Sequence, residues 1–80
     1  MASLADLEFA YLGSLGAAGT LNDRRRAIYG ANQHAYFGAL SGLTPTRLYS
    51  LNDHKLAYYR TQSGLAIGSL ADCQREFWAP

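Results

Sequence analysis

Eighty residues, 49% of them hydrophobic and 16% charged, make one small domain (residues 1–80), and exclude a second domain or a disordered tail. Seven Lys and Arg against six Asp and Glu leave a formal charge of +1, which disfavours non-specific nucleic-acid binding. A single cysteine, Cys73, excludes an internal disulfide and a cysteine-based zinc ribbon.

No apolar run approaches the roughly 18 residues of a membrane span, and Met1–Asp6 lacks the basic start of a signal peptide, so the chain reads as soluble and unprocessed. Its core is thin, because a chain this short buries only about 60% of the surface its unfolded form exposes. Help from a partner is therefore expected.

The first predicted element opens at Ser3-Leu4-Ala5-Asp6 and runs to the bulky pair Tyr11-Leu12, with Gly13 as its stop. Ser or Thr followed three residues later by an acid is a capping box. The hydroxyl accepts the backbone N–H three residues on, and the carboxylate reaches back to the N–H of the cap. The same pattern returns at Thr20-Leu21-Asn22-Asp23, closing on Ile28-Tyr29 with Gly30 behind it. Residues 31–40 then show apolar side chains at Ala35, Tyr36, Ala39 and Leu40, which predicts a kinked or broken continuation ending at Gly42. Thr44-Pro45 predicts a threonine cap and a short helical turn over Pro45–Tyr49.

A third block opens at Ser50-Leu51-Asn52-Asp53, closes on Tyr58-Tyr59 and stops at Gly64, and a fourth runs from Ser69-Leu70-Ala71-Asp72 to Phe77-Trp78. The chain has no Val and only two Ile, which argues against strands. The fold class read here is all-α: a compact bundle of four to six short capped helices built from four degenerate repeats. Caps are assigned to Ser3, Thr20, Ser50 and Ser69, with Asp6, Asp23, Asp53 and Asp72 as their acidic partners.

Within each block the Leu after the cap and the first residue of the bulky pair lie seven apart, about two turns, which puts both on one face. The predicted core is accordingly Leu4, Leu21, Ile28, Tyr36, Leu40, Leu51, Tyr58, Leu70 and Phe77. Leu7, Arg24, His54 and Cys73, three residues after each Leu, fall on the flank and are expected to be half-exposed. Blocks begin 17, 30 and 19 residues apart, too unevenly for a stacked array of identical units.

Little in this sequence has the pattern of chemistry. His34, His54 and Cys73 have no helical spacing that would gather them, so they are expected to be unrelated and no metal site is assigned. The four Asp and four Ser or Thr of the blocks could be taken for acids and nucleophiles, but capping accounts for each. Catalytic residues and cofactors are therefore expected to be absent. Arg24-Arg25-Arg26 is the one basic run, and residues 100° apart on a helix cannot all face one groove, so a solvated face with one or two ion pairs is favoured. A small helix-turn-helix DNA-binding protein is the alternative. Six Tyr, three Phe and one Trp exceed the needs of so small a core, and Tyr favours interfaces. Tyr11, Tyr29, Tyr49, Tyr59 and Trp78 are the candidate partner interface.

The blocks Thr20-Leu21-Asn22-Asp23 to Ile28-Tyr29 and Ser50-Leu51-Asn52-Asp53 to Tyr58-Tyr59 resemble the short Ser/Thr-Leu-Asn-Asp…aromatic modules of tailed-bacteriophage virion structural proteins. The first and fourth blocks depart from that pattern with Ala5 and Ala71 in place of Asn, and the fourth also with Glu76. The resemblance implies a non-enzymatic virion protein: a head decoration or minor capsid protein, or a tail or fibre attachment module. It implies a major capsid or tail protein, or another copy of the chain, as partner.

Overall fold

A computed structural model describes residues 3–79. Among these the chain is all-helical, with α1 (Leu4–Ser14), α2 (Leu21–Tyr29), α3 (Gln33–Ser41), a 3₁₀ turn (Thr46–Leu48), α4 (Leu51–Ser63) and α5 (Leu70–Trp78). Each helix that opens a block starts at the residue after its Ser or Thr. Ser3, Thr20 and Ser50 accept the N–H of Asp6, Asp23 and Asp53 at 3.1–3.2 Å, and those carboxylates accept the N–H of the cap at 3.1–3.3 Å. Ser69 accepts from Asp72 at 3.2 Å without the reciprocal bond. The segment after Gly30 is a separate helix, α3, capped by Asn32, whose side chain accepts the N–H of Ala35. Gly42 and Gly64 end α3 and α4 in the left-handed conformation that a side chain disfavours.

Two of the expected boundaries differ. Gly13 does not end α1 but lies inside it, and its lack of a side chain makes room for the Arg24 guanidinium, which a Cβ would strike. The turn before α4 is confined to Thr46–Leu48, with Pro45 rather than Thr44 flanking it and no side-chain cap.

Neighbouring helices pack in a closed circuit, each of α1 to α5 against the next and α5 back against α1. The result is a plate 33 × 27 × 15 Å, about two helices thick. Its buried centre holds Leu12, Tyr29, Phe37, Tyr59, Cys73 and Trp78 with Glu8 and His54, so it is largely aromatic. Phe37 contacts Tyr29, Tyr58 and Tyr59, and Tyr59 meets Trp78 edge-on at 5.5 Å between ring centres.

The centre is rotated by one residue from the face read in the sequence. In every block the second member of the bulky pair is buried (Leu12, Tyr29, Tyr59, Trp78), whereas Tyr11, Ile28, Tyr58 and Phe77 pack partly buried around it. Leu4, Leu21, Tyr36, Leu51 and Leu70 also lie in that half-buried layer, and Leu40 is exposed. In α4 the cause is enclosure from two sides, since Tyr59 lies against Phe37 of α3 and against Trp78 of α5. His54 and Cys73, expected to be half-exposed, are fully buried, while Leu7 and Arg24 are half-buried.

Candidate functional site

Because α1, α2, α4 and α5 begin with the same block, equivalent positions can be compared across them. Nine residues after each cap stands the buried residue just described. Four residues before it, five after each cap, stand Glu8, Arg25, Lys55 and Gln74. These four side chains, each from a different helix, line one surface cavity of about 210 Å³, together with Leu4, Ala5, Leu70 and Trp78. One turn of helix separates this position from the core, so the four blocks point it at a shared place just outside the aromatic centre.

Glu8 is 5% exposed, and both of its carboxylate oxygens accept hydrogen bonds. Its Oε1 accepts Arg25 Nε at 3.0 Å and Nη2 at 2.5 Å, and its Oε2 accepts the Tyr29 hydroxyl at 2.9 Å. The Glu8 hydrogen bond holds the Arg25 guanidinium above its ordinary pKa. Burial, reinforced by the neighbouring Tyr59 hydroxyl and by Glu8, pushes the Tyr29 phenol far up; burial does the same for Tyr59. Lys55 differs from both. Burial lowers its pKa, Glu8 partly offsets this and Arg25 adds to it, and its ammonium lies 5.5 Å from the Phe37 ring centre with no carboxylate partner among the described residues. Trp78 Nε1 is buried without an acceptor among the described residues.

A second polar group joins α3, the 3₁₀ turn and α4. His54 Nε2 donates to the Thr46 carbonyl at 3.0 Å, which leaves Nδ1 to accept the Ser41 hydroxyl at 2.7 Å. His34 Nε2 donates to the Tyr49 carbonyl at 2.8 Å, and the two imidazoles meet edge-on, 5.0 Å between centres. His34 and His54 are thus brought together, contrary to the expectation that they are unrelated. Gly38 permits the approach, since Thr46 Cγ2 occupies the space of its missing side chain. Ser41 and His54 have the contact of a nucleophile and its base. The hydroxyl, however, also accepts the Leu43 N–H at 3.2 Å, and the ring is fully buried. The arrangement ties the end of α3 to α4. Cys73 is likewise enclosed, its Sγ 3.5 Å from the Leu65 carbonyl. Among the described residues no three of His, Cys, Asp or Glu are placed to hold a metal ion.

The basic run divides as its 100° steps require. Arg24 folds back on α1, donating to the carbonyls of Phe9 and Gly19 at 3.0 Å with its guanidinium 3.6 Å from the Phe9 ring centre. Arg25 pairs with Glu8, and Arg26 is exposed.

Of the five residues assigned to a partner interface, Tyr29, Tyr59 and Trp78 are buried at 6%, 2% and 6% exposure and belong to the core instead. The one-residue rotation of each block explains the exchange. Tyr11 and Tyr49 remain half-buried. Tyr11 lies against Phe77 at 5.2 Å and with it lines an apolar groove of about 340 Å³ between α1 and α5, along with Leu7, Ala10 and Ala79. Leu15, Leu40, Leu48 and Ile67 add exposed apolar surface elsewhere, Ile67 at 94%. No helix among the described residues is long and apolar enough to cross a membrane.

Sequence reasoning passed over Glu8, Arg25, Lys55 and Gln74 as a set. The available signal was their shared offset from the cap, the one inner position of the block that is polar in all four. Compared with known proteins, the chain matches no family model, no curated protein and no solved structure.

Proposed function

We propose that this chain is a non-enzymatic structural protein of a tailed-bacteriophage particle, held on a capsid or tail surface by a protein partner. The observation that carries the partner-binding part is the apolar groove between α1 and α5, lined by Tyr11 and Phe77 on a plate with few buried residues of its own. Aromatic side chains in a concave apolar site are what protein interfaces use as anchors. The particle itself is supported by the resemblance of the repeated blocks to virion modules. Arg24 and Arg25 are spent on carbonyls, a ring and Glu8, which leaves the basic run little to offer a DNA backbone.

Mass spectrometry of purified particles is the test. The chain is expected at a fixed copy number relative to the major capsid or tail protein, and Tyr11→Asp, which places a charge in the groove, should deplete it from particles while leaving its helical circular dichroism intact. Absence of the wild-type chain from particles, together with duplex binding that weakens steeply with salt, would overturn the proposal in favour of a DNA-binding protein.

A further inference from the structure

The cavity where the four blocks converge has an unbalanced set of polar groups. Glu8 has both oxygens engaged by Arg25 and Tyr29, and forms no ion pair with Lys55. Lys55 keeps a half-buried ammonium that forms no ion pair among the described residues, and the Trp78 ring lies in the same wall. Gln74 contributes an amide. Glu8, Arg25 and Lys55 together leave a single net positive charge among the apolar walls of Leu4 and Leu70. A half-buried ammonium without an ion pair favours an arriving anion, because partial burial removes some of its water and leaves the charge unanswered.

We propose that this cavity is a receptor for one carboxylate, presented by an aspartate or glutamate side chain of the protein partner. The inference rests on the reading of the chain as a partner-binding protein. A carboxylate supplies what the site lacks: one negative charge for Lys55, and acceptor oxygens for the Lys55 ammonium and the Gln74 amide. A volume of about 210 Å³ falls below the roughly 300–1,000 Å³ of pockets that hold whole small-molecule ligands, and suits a single side chain. Phosphate matches less well, since its second charge would have only Lys55 to meet it and would face Glu8. Burial already lowers the pKa of Lys55, and an entering carboxylate would reverse that shift.

The chain has one tryptophan, so Trp78 gives one indole N–H resonance, and the site reports on itself. That resonance should be followed in the full chain while adding a short blocked peptide with one glutamate, its glutamine counterpart, sodium acetate or inorganic phosphate. The glutamate peptide should shift the resonance saturably, the glutamine peptide should not, and acetate should act in the same direction but more weakly. Lys55→Met should weaken the glutamate peptide about tenfold while the circular dichroism stays that of the wild type. An indole unmoved by both the glutamate peptide and acetate overturns the proposal, as does an equal response to glutamine or tighter binding of phosphate. Acetate binding as tightly as the peptide overturns the protein-borne ligand in favour of a free small acid. A silent indole in a chain that is recovered from particles sinks this receptor alone, whereas a responding indole in a chain absent from particles sinks the virion reading alone.

Discussion

Two polar clusters are buried in this plate, and they hold helices together by different physics. Glu8, Arg25 and Tyr29 join α1 to α2 through a charge pair, whereas His34, His54 and Ser41 join α3 to α4 through hydrogen bonds of imidazole rings to a hydroxyl and backbone carbonyls. A charge pair depends on both partners being present, because either one alone is a desolvated ion. A network whose partners are a hydroxyl and carbonyls loses only the bonds that are removed. The α1–α2 junction should therefore be the brittle one, and the α3–α4 junction the tolerant one.

The largest effect is expected from Arg25→Met, which leaves Glu8 buried with Tyr29 as its only partner. A loss of about 2–4 kcal/mol should appear in urea unfolding, at the lower side of buried-pair values because the Arg25 side chain is 37% exposed. Adding Glu8→Leu should restore most of it, and a double variant as weak as the sum of the singles would show that the pair is not acting as a unit. His54→Leu should cost less, about 1–3 kcal/mol for the unpaired Thr46 carbonyl and Ser41 hydroxyl, with a loss that does not change with added salt. A salt-dependent loss there would break the contrast between the two junctions.

Alkaline pH sharpens it further. Tyr29 and Tyr59 have pKa values raised above the ordinary 10.0, chiefly by burial. Below about pH 10 both folded and unfolded chains keep these protons, so the stability they carry is fully present. Above it the unfolded chain releases them first, and stability should fall by about 1.4 kcal/mol per pH unit for each tyrosine. Lys55, whose pKa is lowered from 10.5, works the other way, adding stability as pH rises towards 10.5. Tyr59→Phe should flatten the alkaline fall in urea midpoint without touching Glu8, and an unchanged slope would count against burial as its cause.

The smallest difference lies in the caps. Asp53→Ala removes a reciprocal bond that Asp72→Ala does not, so its loss of thermal stability should be greater by a few tenths of a kcal/mol.

Helix starts were legible in the sequence because a capping box is local: Ser50 and Asp53 meet within one turn whatever the rest of the chain does. The core face was legible only approximately. Counting seven residues from Leu51 reaches Tyr58, but α4 packs against both α3 and α5; both tyrosines meet Phe37 and Phe77, and Tyr59, with Trp78 also against it, is the one enclosed. Gly13 reads as a stop until Arg24, from another helix, is seen to fill its place. The polar cavity was hidden by its chemistry, since an acid, two bases and an amide at helical positions look like ordinary solvated faces. The meeting of His34 with His54 follows from the packing of α3 on α4, and a separation of 20 residues without a pattern carries no sign of it.

The shared offset from the cap has an evolutionary consequence. Capping and the buried residue nine after it set where each helix lies, but the position one turn earlier is not equivalent in the four copies. Glu8 and Arg25 hold α1 to α2, so a change at one needs an answering change at the other. Lys55 and Gln74 belong to no such pair among the described residues, so each codon can drift singly while the helices keep their places. A lineage of related chains can then follow a changing partner by substitution at these two sites, with the charge pair beside them held constant.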